Sequence, residues 1–253
     1  MPSKIVVRPS EERGCANHGW LDTHHTFSFA NYYDPNYEEF GALRVINEDI
    51  VQPQKGFGTH SHREFEIFSY IISGELEHKD SMGNLEILKR GDVQFTTAGT
   101  GISHSEYNVH KTLPVYFLQI WVKPDNPKLS PAYHTKMFSD SAKENNLVQI
   151  ISPDKKQVPD TIGIHTDFHM YASLLDQGVK VTHKVQGNAN DRDNKRKLYI
   201  HVIGKEGMKV LINGKSLLKH GDGAFITEVV SGEEIIFESV GNRTAEFVLF
   251  DLA

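Results

Sequence analysis

The chain has 253 residues, a formal charge of −6 and 38% hydrophobic residues, with a pI near 6.1 and a mean hydropathy of −0.42. That is enough for one large β domain or two of about 125 residues, with the apolar content of an ordinary globular core. The acidic balance argues against direct nucleic-acid contact, which needs clustered Lys and Arg. The one basic cluster, Lys195-Arg196-Lys197, follows Asp191 and Asp193 and reads as a solvated loop. Cys15 is the single cysteine, so no internal disulfide forms, which fits a reducing compartment; nothing nearby argues for a reactive thiol. The first twenty residues carry Lys4, Arg8, Glu11, Glu12 and Arg13, and no stretch approaches the roughly 18 apolar residues of a membrane span. A cytoplasmic protein with no membrane contact is expected.

In chain order, 34–39 reads as an acidic turn, and short runs rich in Val, Ile, Phe and Tyr then predict strands at 66–72, 84–88, 93–97 and 115–122. Met82-Gly83-Asn84 reads as a turn. A helix is predicted over 140–146, with Ser139 as its cap. Further strands are predicted at 197–203, 209–212, 223–227, 235–238 and 246–250. Asn213-Gly214 between apolar flanks predicts a type I′ hairpin turn. Many short strands with turns between them indicate a β sandwich or barrel.

The chain contains an internal repeat. Gly74 and Leu88-Lys-Arg-Gly-Asp92 recur as Gly204 and Leu218-Lys-His-Gly-Asp222, at one constant offset. At the same offset Phe95 meets Phe225 and Phe117 meets Phe247. Two copies of one β unit are expected, as domains 1–130 and 131–253. The linker is placed at 123–131, stiffened by Pro124, Pro127 and Pro131, with an extension through the helix to Pro159 as an alternative.

Two polar alternations stand out: His60-Ser-His62 and His104-Ser-Glu106. On strands, the members of each pair share a face. Side by side, the pairs bring three imidazoles and one carboxylate into one pocket, a ligand set for a divalent transition metal with positions open to substrate. Either pair alone is only a polar strand edge. Two pairs on one repeat unit, with the bend Ala98-Gly-Thr-Gly101 between them, favour ligands. Transposed by the repeat offset the four positions become Asn190, Arg192, Glu234 and Ile236, which cannot make the same site. One metal per chain is therefore expected, in the N-terminal half. His24 and His25 read as packing residues or as the border of the pocket, His165 and Asp167 as structural, and Trp20 and Trp121 as core.

The series His60, His62, Glu66, Gly74, with His104 and Asn108 later, resembles the two motifs of the cupin superfamily. It departs from them in Gly74, which falls one residue late, in Gln54, which stands where a glycine leads, and in a longer span from Gly91 to His104. Longer runs resemble the pirin family over nearly the whole chain. They are Asn17-His-Gly-Trp-Leu-Asp22, His25-Thr-Phe-Ser-Phe29, His78-Lys-Asp-Ser-Met-Gly-Asn84 and Ala98-Gly-Thr-Gly-Ile-Ser-His-Ser-Glu-Tyr107. The resemblance is closest to bacterial pirin-like proteins described as quercetin 2,3-dioxygenases. It implies an all-β bicupin, two face-to-face jelly-roll barrels with few short helices. It places the metal ligands at His60, His62, His104 and Glu106. Glu66, a ligand in many other cupins, becomes an inward group near the ligands, since it shares parity with His60 and His62. A carboxylate paired with Arg63 or Arg44 is the equal alternative.

The resemblance further implies one divalent transition metal, Fe(II) by expectation, with Zn, Ni, Mn, Co or Cu as alternatives. Ligand affinity alone favours copper, so supply decides. The implied activity is flavonol 2,3-dioxygenation with O2 and release of carbon monoxide, Glu106 acting as the general base. The alternative, of another class, is a metal- and redox-sensing module that works through a protein partner.

Overall fold

A computed structural model describes residues 3–187 and 195–253; the transposed positions Asn190 and Arg192, with Asp191 and Asp193, lie outside the described residues. The chain divides into two compact units. One is Gly14–Phe138, and the other joins the segment ending at Arg13 to Ser139–Ala253.

β1 (Lys4–Arg8) is first in chain order. The unit Gly14–Phe138 then holds β2 (Gly14–Asn17), β3 (Leu21–His25), β4 (Leu43–Val51), β5 (Gly56–His62), β6 (Glu66–Ser73), β7 (Leu76–Asp80), β8 (Leu85–Leu88), β9 (Asp92–Thr97), β10 (Ile102–Asn108), β11 (Val115–Val122) and β12 (Ala132–Met137). They form a seven-stranded sheet, β12-β9-β6-β11-β4-β3-β2, and a four-stranded sheet, β5-β10-β7-β8. The second unit holds α1 (Asp140–Lys143), β13 (Val148–Pro153), β14 (Ile162–Ile164), β15 (Phe168–Leu175), β16 (Lys180–Lys184), β17 (Lys195–Ile203), β18 (Lys209–Ile212), β19 (Ser216–Lys219), β20 (Gly223–Val230), β21 (Glu234–Ser239) and β22 (Ala245–Leu252). Its sheets run β1-β20-β17-β22-β15-β13-β14 and β16-β21-β18-β19. The fold is all-β with two cupin-like units.

The duplication extends to single hydrogen bonds. β11 and β22 begin and end at the offset of the sequence repeat. In the first copy Asp92 Oδ2 accepts from the Lys89 amide at 2.7 Å, and in the second Asp222 Oδ2 accepts from the Lys219 amide at 2.8 Å. Gly91 and Gly221 turn both copies at φ 87° and 77°, where a side chain would be strained. Gln54, which stands where the cupin pattern leads with glycine, holds a left-handed φ of 58°.

The units are not divided at residue 130. β12 completes the edge of the first seven-stranded sheet by pairing with β9, and β1 completes the second by pairing with β20. Edge pairing over such sequence separations leaves no local signal. α1 is shorter than the predicted 140–146. Ser139 caps it through the Ala142 amide at 3.2 Å, and Asn145, at φ 57°, ends it. The type I′ turn is present, with Asn213 at φ 50° and Gly214 at 65°. No helix among the described residues is long and apolar enough to cross a membrane.

The basic cluster is not a solvated loop. It starts β17, and Arg196 is 4% exposed. Its Nε donates to Asp251 at 2.6 Å and its terminal nitrogens to Asp167 at 2.9 and 3.0 Å. His183 meets Asp251 at 2.7 Å. Burial pushes the Asp251 carboxyl up, but His183, Arg196 and the Gln186 amide outweigh it and hold it below the ordinary carboxylate range. Asp167 is held low by His169 and Arg196 against burial. Asp167 is thus structural, as expected.

Candidate metal centre

The two alternating pairs lie on neighbouring strands. β10 pairs with β5 through Ile102↔His62 and His104↔His60, and then through Glu106↔Phe57. Gly58 and Thr59 on β5 thus oppose Ser105 alone on β10, a bulge. Bulges re-aim side chains beside functional sites. Here the bulge sets the Gly58 carbonyl 2.7 Å from His60 Nδ1. Nδ1 donates to it, which leaves the His60 Nε2 lone pair available.

The rings of His60, His62 and His104 lie 4.6–4.8 Å apart, centroid to centroid. Nε2 of His104 is 3.1 Å from Nε2 of His60. Ligands about 2.1 Å from a common divalent ion stand roughly 3 Å apart at right angles, so these nitrogens fit such an ion. Burial, with the imidazoles of His104 and His60, lowers His62 to about 4 against the opposing pull of Glu106. Burial, then His60 and His78, lowers His104 to about 3 against Asp80. Both rings are neutral at pH 7, the state that binds metal.

Two groups of ligand-type side chains occur among the described residues: His60, His62 and His104, and His78, His104 and Glu106. His104 belongs to both; Glu106 is grouped with His104 and His78 rather than with His60 and His62. Glu106 is 2% exposed. Ser69 Oγ donates to its Oε1 at 3.2 Å and Gln119 Nε2 to its Oε2 at 2.9 Å, which fixes the carboxylate plane.

His78 was not predicted. It is fully buried, faces Glu106 across the β7–β10 register and stacks on Tyr133 at 4.8 Å. Its Nε2 lies 3.3 Å from Asp80. Burial pushes Asp80 up, but Asn84, His78 and the Met82 amide more than offset this and hold it low. The available signal was the alternation Leu76, His78, Asp80, which shares one buried face of β7.

Glu66 is not near the ligands. It is fully buried and accepts from Thr97 Oγ1 at 3.1 Å. Ser69 faces Glu106, so Glu66, three positions earlier on β6, takes the opposite face. Parity with His60 and His62 fails because residues 63–65 separate two strands of different sheets, with Glu64 at φ 60°. Asn108 ties the end of β10 to the Val51 and Leu113 carbonyls at 3.0 and 2.9 Å.

Beside the centre lies a cavity of about 820 Å3 lined by His60, His62, Glu106, Gln119 and the aromatic rings of Trp20, Phe29, Tyr32, Phe57 and Trp121. Trp121 is cavity wall, whereas Trp20 lines the cavity and also packs against the core cluster of Leu21, Val51 and Ile71. Trp121 meets the His62 ring at 4.8 Å and Phe29 at 5.6 Å, and Trp20 meets Phe57 at 5.2 Å. His25 lines the cavity; His24, half-exposed on the opposite face of β3, does not. Cys15 is an exposed free thiol at the cavity wall.

At Gly56 the backbone of β5 runs close against β10. A Cβ there would stand 2.2 Å from the Glu106 carbonyl oxygen and 2.5 Å from Tyr107 Cα. Gly56→Ala is expected to force the strands apart at Glu106. The cost is about 1–3 kcal/mol, as for other overpacking, with less metal retained per chain. Melting curves and metal analysis check both; a variant with wild-type stability and metal content would show that the close approach is dispensable.

Residues 6–122 match the pirin family model, and residues 149–252 match the quercetinase C-terminal cupin domain. The chain is 39% identical over 249 residues to a quercetin 2,3-dioxygenase of Escherichia coli O157:H7, covering 98% of both chains. It is 34% identical over 249 residues to a pirin-like protein of Caulobacter vibrioides, covering 98% of this chain and 100% of the other. Among solved structures, the bacterial pirin YhhW of Escherichia coli in complex with nickel(II) matches with a TM-score of 0.85 at 38% identity, over 98% of this chain and 99% of that one. With both halves matched, and with relatives alike over their whole length, the chain belongs to the pirin family.

Proposed function

We propose that this chain is a metal-dependent flavonol 2,3-dioxygenase of the cytoplasm, with His60, His62, His104 and Glu106 holding one divalent ion, Fe(II) by supply. The observation that carries this reading is the opening of the imidazole–carboxylate cluster onto an aromatic-lined cavity. The relatives named quercetin 2,3-dioxygenase support it. A bound divalent ion supplies Lewis acidity toward an oxygen-bearing substrate.

The side chains do the rest. The rings of Trp20, Phe57 and Trp121 give a flat aromatic substrate surfaces to pack against. Glu106 takes the proton of the flavonol 3-hydroxyl, oriented by Ser69 and Gln119. The electron-rich flavonolate then reacts with O2. Both oxygen atoms enter the ring-opened ester, and the carbon that bore the hydroxyl leaves as carbon monoxide.

The test uses protein purified without chelator and analysed for metal. Quercetin is added under argon, then O2. Loss of flavonol absorbance with matching oxygen uptake and carbon monoxide release, abolished by chelation, is expected. A stable flavonol spectrum with metal-loaded protein would overturn the reading. A protein partner captured in only one redox state would then favour the regulatory alternative.

A further inference from the structure

The inner face of the seven-stranded sheet carries an unusual row. In direct register across four strands stand His25 on β3, Asn47 on β4, Gln119 on β11 and Ser69 on β6. Cross-strand partners share a face and lie side by side. All four are buried, at 4%, 3%, 9% and 0% exposure. A polar row in a sheet interior is costly unless its groups are used. Ser69 and Gln119 are used: they hold the two oxygens of Glu106. His25 and Asn47 form the other end of the row, and both line the cavity.

The chemistry of this end is specific. Asn47 Oδ1 lies 2.8 Å from His25 Nδ1 and accepts its proton. His25 packs against Phe29 and Tyr32, at 5.4 and 6.4 Å between centroids, so the ring that holds the Asn47 amide is itself held. With Oδ1 engaged, the amide NH2 is the free end of the side chain. Nδ2 of Asn47 has no hydrogen-bond partner among the described residues. Asn47 stands one strand from Gln119, a spacing of about 4.8 Å. A donor pair thus waits in the cavity one strand beyond the group that orients Glu106.

We infer that Asn47 is a specificity-determining residue, donating from Nδ2 to a second oxygen of the substrate, remote from the hydroxyl that Glu106 deprotonates. This rests on the flavonol reading and deepens it. The substrate class becomes a polyhydroxylated flat aromatic, not one with a single reacting hydroxyl. His25 acts through Asn47 as a positioning residue.

The experiment compares quercetin with 3-hydroxyflavone, which keeps the reacting hydroxyl and lacks the others. Equilibrium binding to metal-loaded protein is measured under argon, and steady-state kinetics under O2. Wild type is expected to favour quercetin about tenfold in Kd, the scale of one net hydrogen bond. Asn47→Leu is expected to bring that ratio within about twofold, raising KM for quercetin with little change in kcat. Asn47→Asp keeps the shape and replaces the donor by an acceptor, so it covers the case in which the leucine variant does not fold. It is expected to weaken quercetin and spare 3-hydroxyflavone.

A wild type that does not discriminate, or a folded Asn47 variant that keeps the wild-type ratio, overturns the assignment. Flavonols that bind with the predicted pattern and survive O2 would leave Asn47 in place and remove the dioxygenase reading. If neither flavonol binds, that reading fails and the assignment with it.

Discussion

Glu106→Gln is expected to retain most of its metal and to lose quercetin turnover by about 10^2–10^4, the range supplied by a positioned general base. Three imidazoles remain in the variant, and an amide oxygen still reaches toward an ion, so retention falls modestly. What disappears is an acceptor for the hydroxyl proton. In the wild type Ser69 Oγ and Gln119 Nε2 donate to the two carboxylate oxygens at 3.2 and 2.9 Å; an amide keeps one of these acceptors, its oxygen toward Gln119, and its NH2 then meets the Ser69 hydroxyl, which must turn round to accept. Metal per chain and kcat are measured on the same preparation. Full turnover in the variant would remove Glu106 from the proton transfer. His104→Ala is the control: the residue common to both ligand groups should take metal and activity away together.

The second large effect is on stability. Arg196→Met is expected to cost about 3–5 kcal/mol, as when one partner of a buried ion pair is deleted. Asp251 is fully buried and Arg196 only 4% exposed, so little solvent screens the loss. The pH dependence has a definite sign. Asp251 and Asp167 are both held below the ordinary carboxylate value in the folded chain. Their contribution is complete above the unfolded value of about 3.9 and is lost as pH falls through the depressed folded values. Without the guanidinium, the burial that pushes Asp251 up is opposed only by His183 and the Gln186 amide. The deficit of the variant should therefore be largest above about pH 5 and shrink toward pH 3. Urea melts across that range measure it. Equal deficits at both ends would show that packing, not charge, carries the loss.

What the sequence made legible follows from range. β11 runs over 115–122 as predicted, because eight residues between Pro114 and Pro124 that are apolar but for Gln119 favour a strand. The His60-x-His62 and His104-x-Glu106 pairs were legible because alternation is intrinsic to strands. The side-by-side placement of β5 and β10, 42 residues apart at the Ser61–Ser103 contact, needed the fold. Arg196 was misread because its burial depends on Asp167 and Asp251, 29 and 55 residues away. Of the two readings of Glu66, the one that placed it near the ligands failed because a turn reset the parity. Trp20 packs against the core as expected, but Trp121 has the same apolar character, and only the cavity distinguishes a wall from a core. His78 lay inside a run whose resemblance was evident, but its proximity to Glu106 exists only across strands.

β5 is the outermost strand of its sheet, bonded to β10 alone. Fraying that one ladder would release the two histidines of β5 together, while β10 stays clamped by β7 on its other side. Such local openings cost far less than global unfolding. Cation exchange would then be a hinge-like event of a single ribbon, and the residence time of the ion would report the lifetime of that ladder rather than the strength of the coordinate bonds.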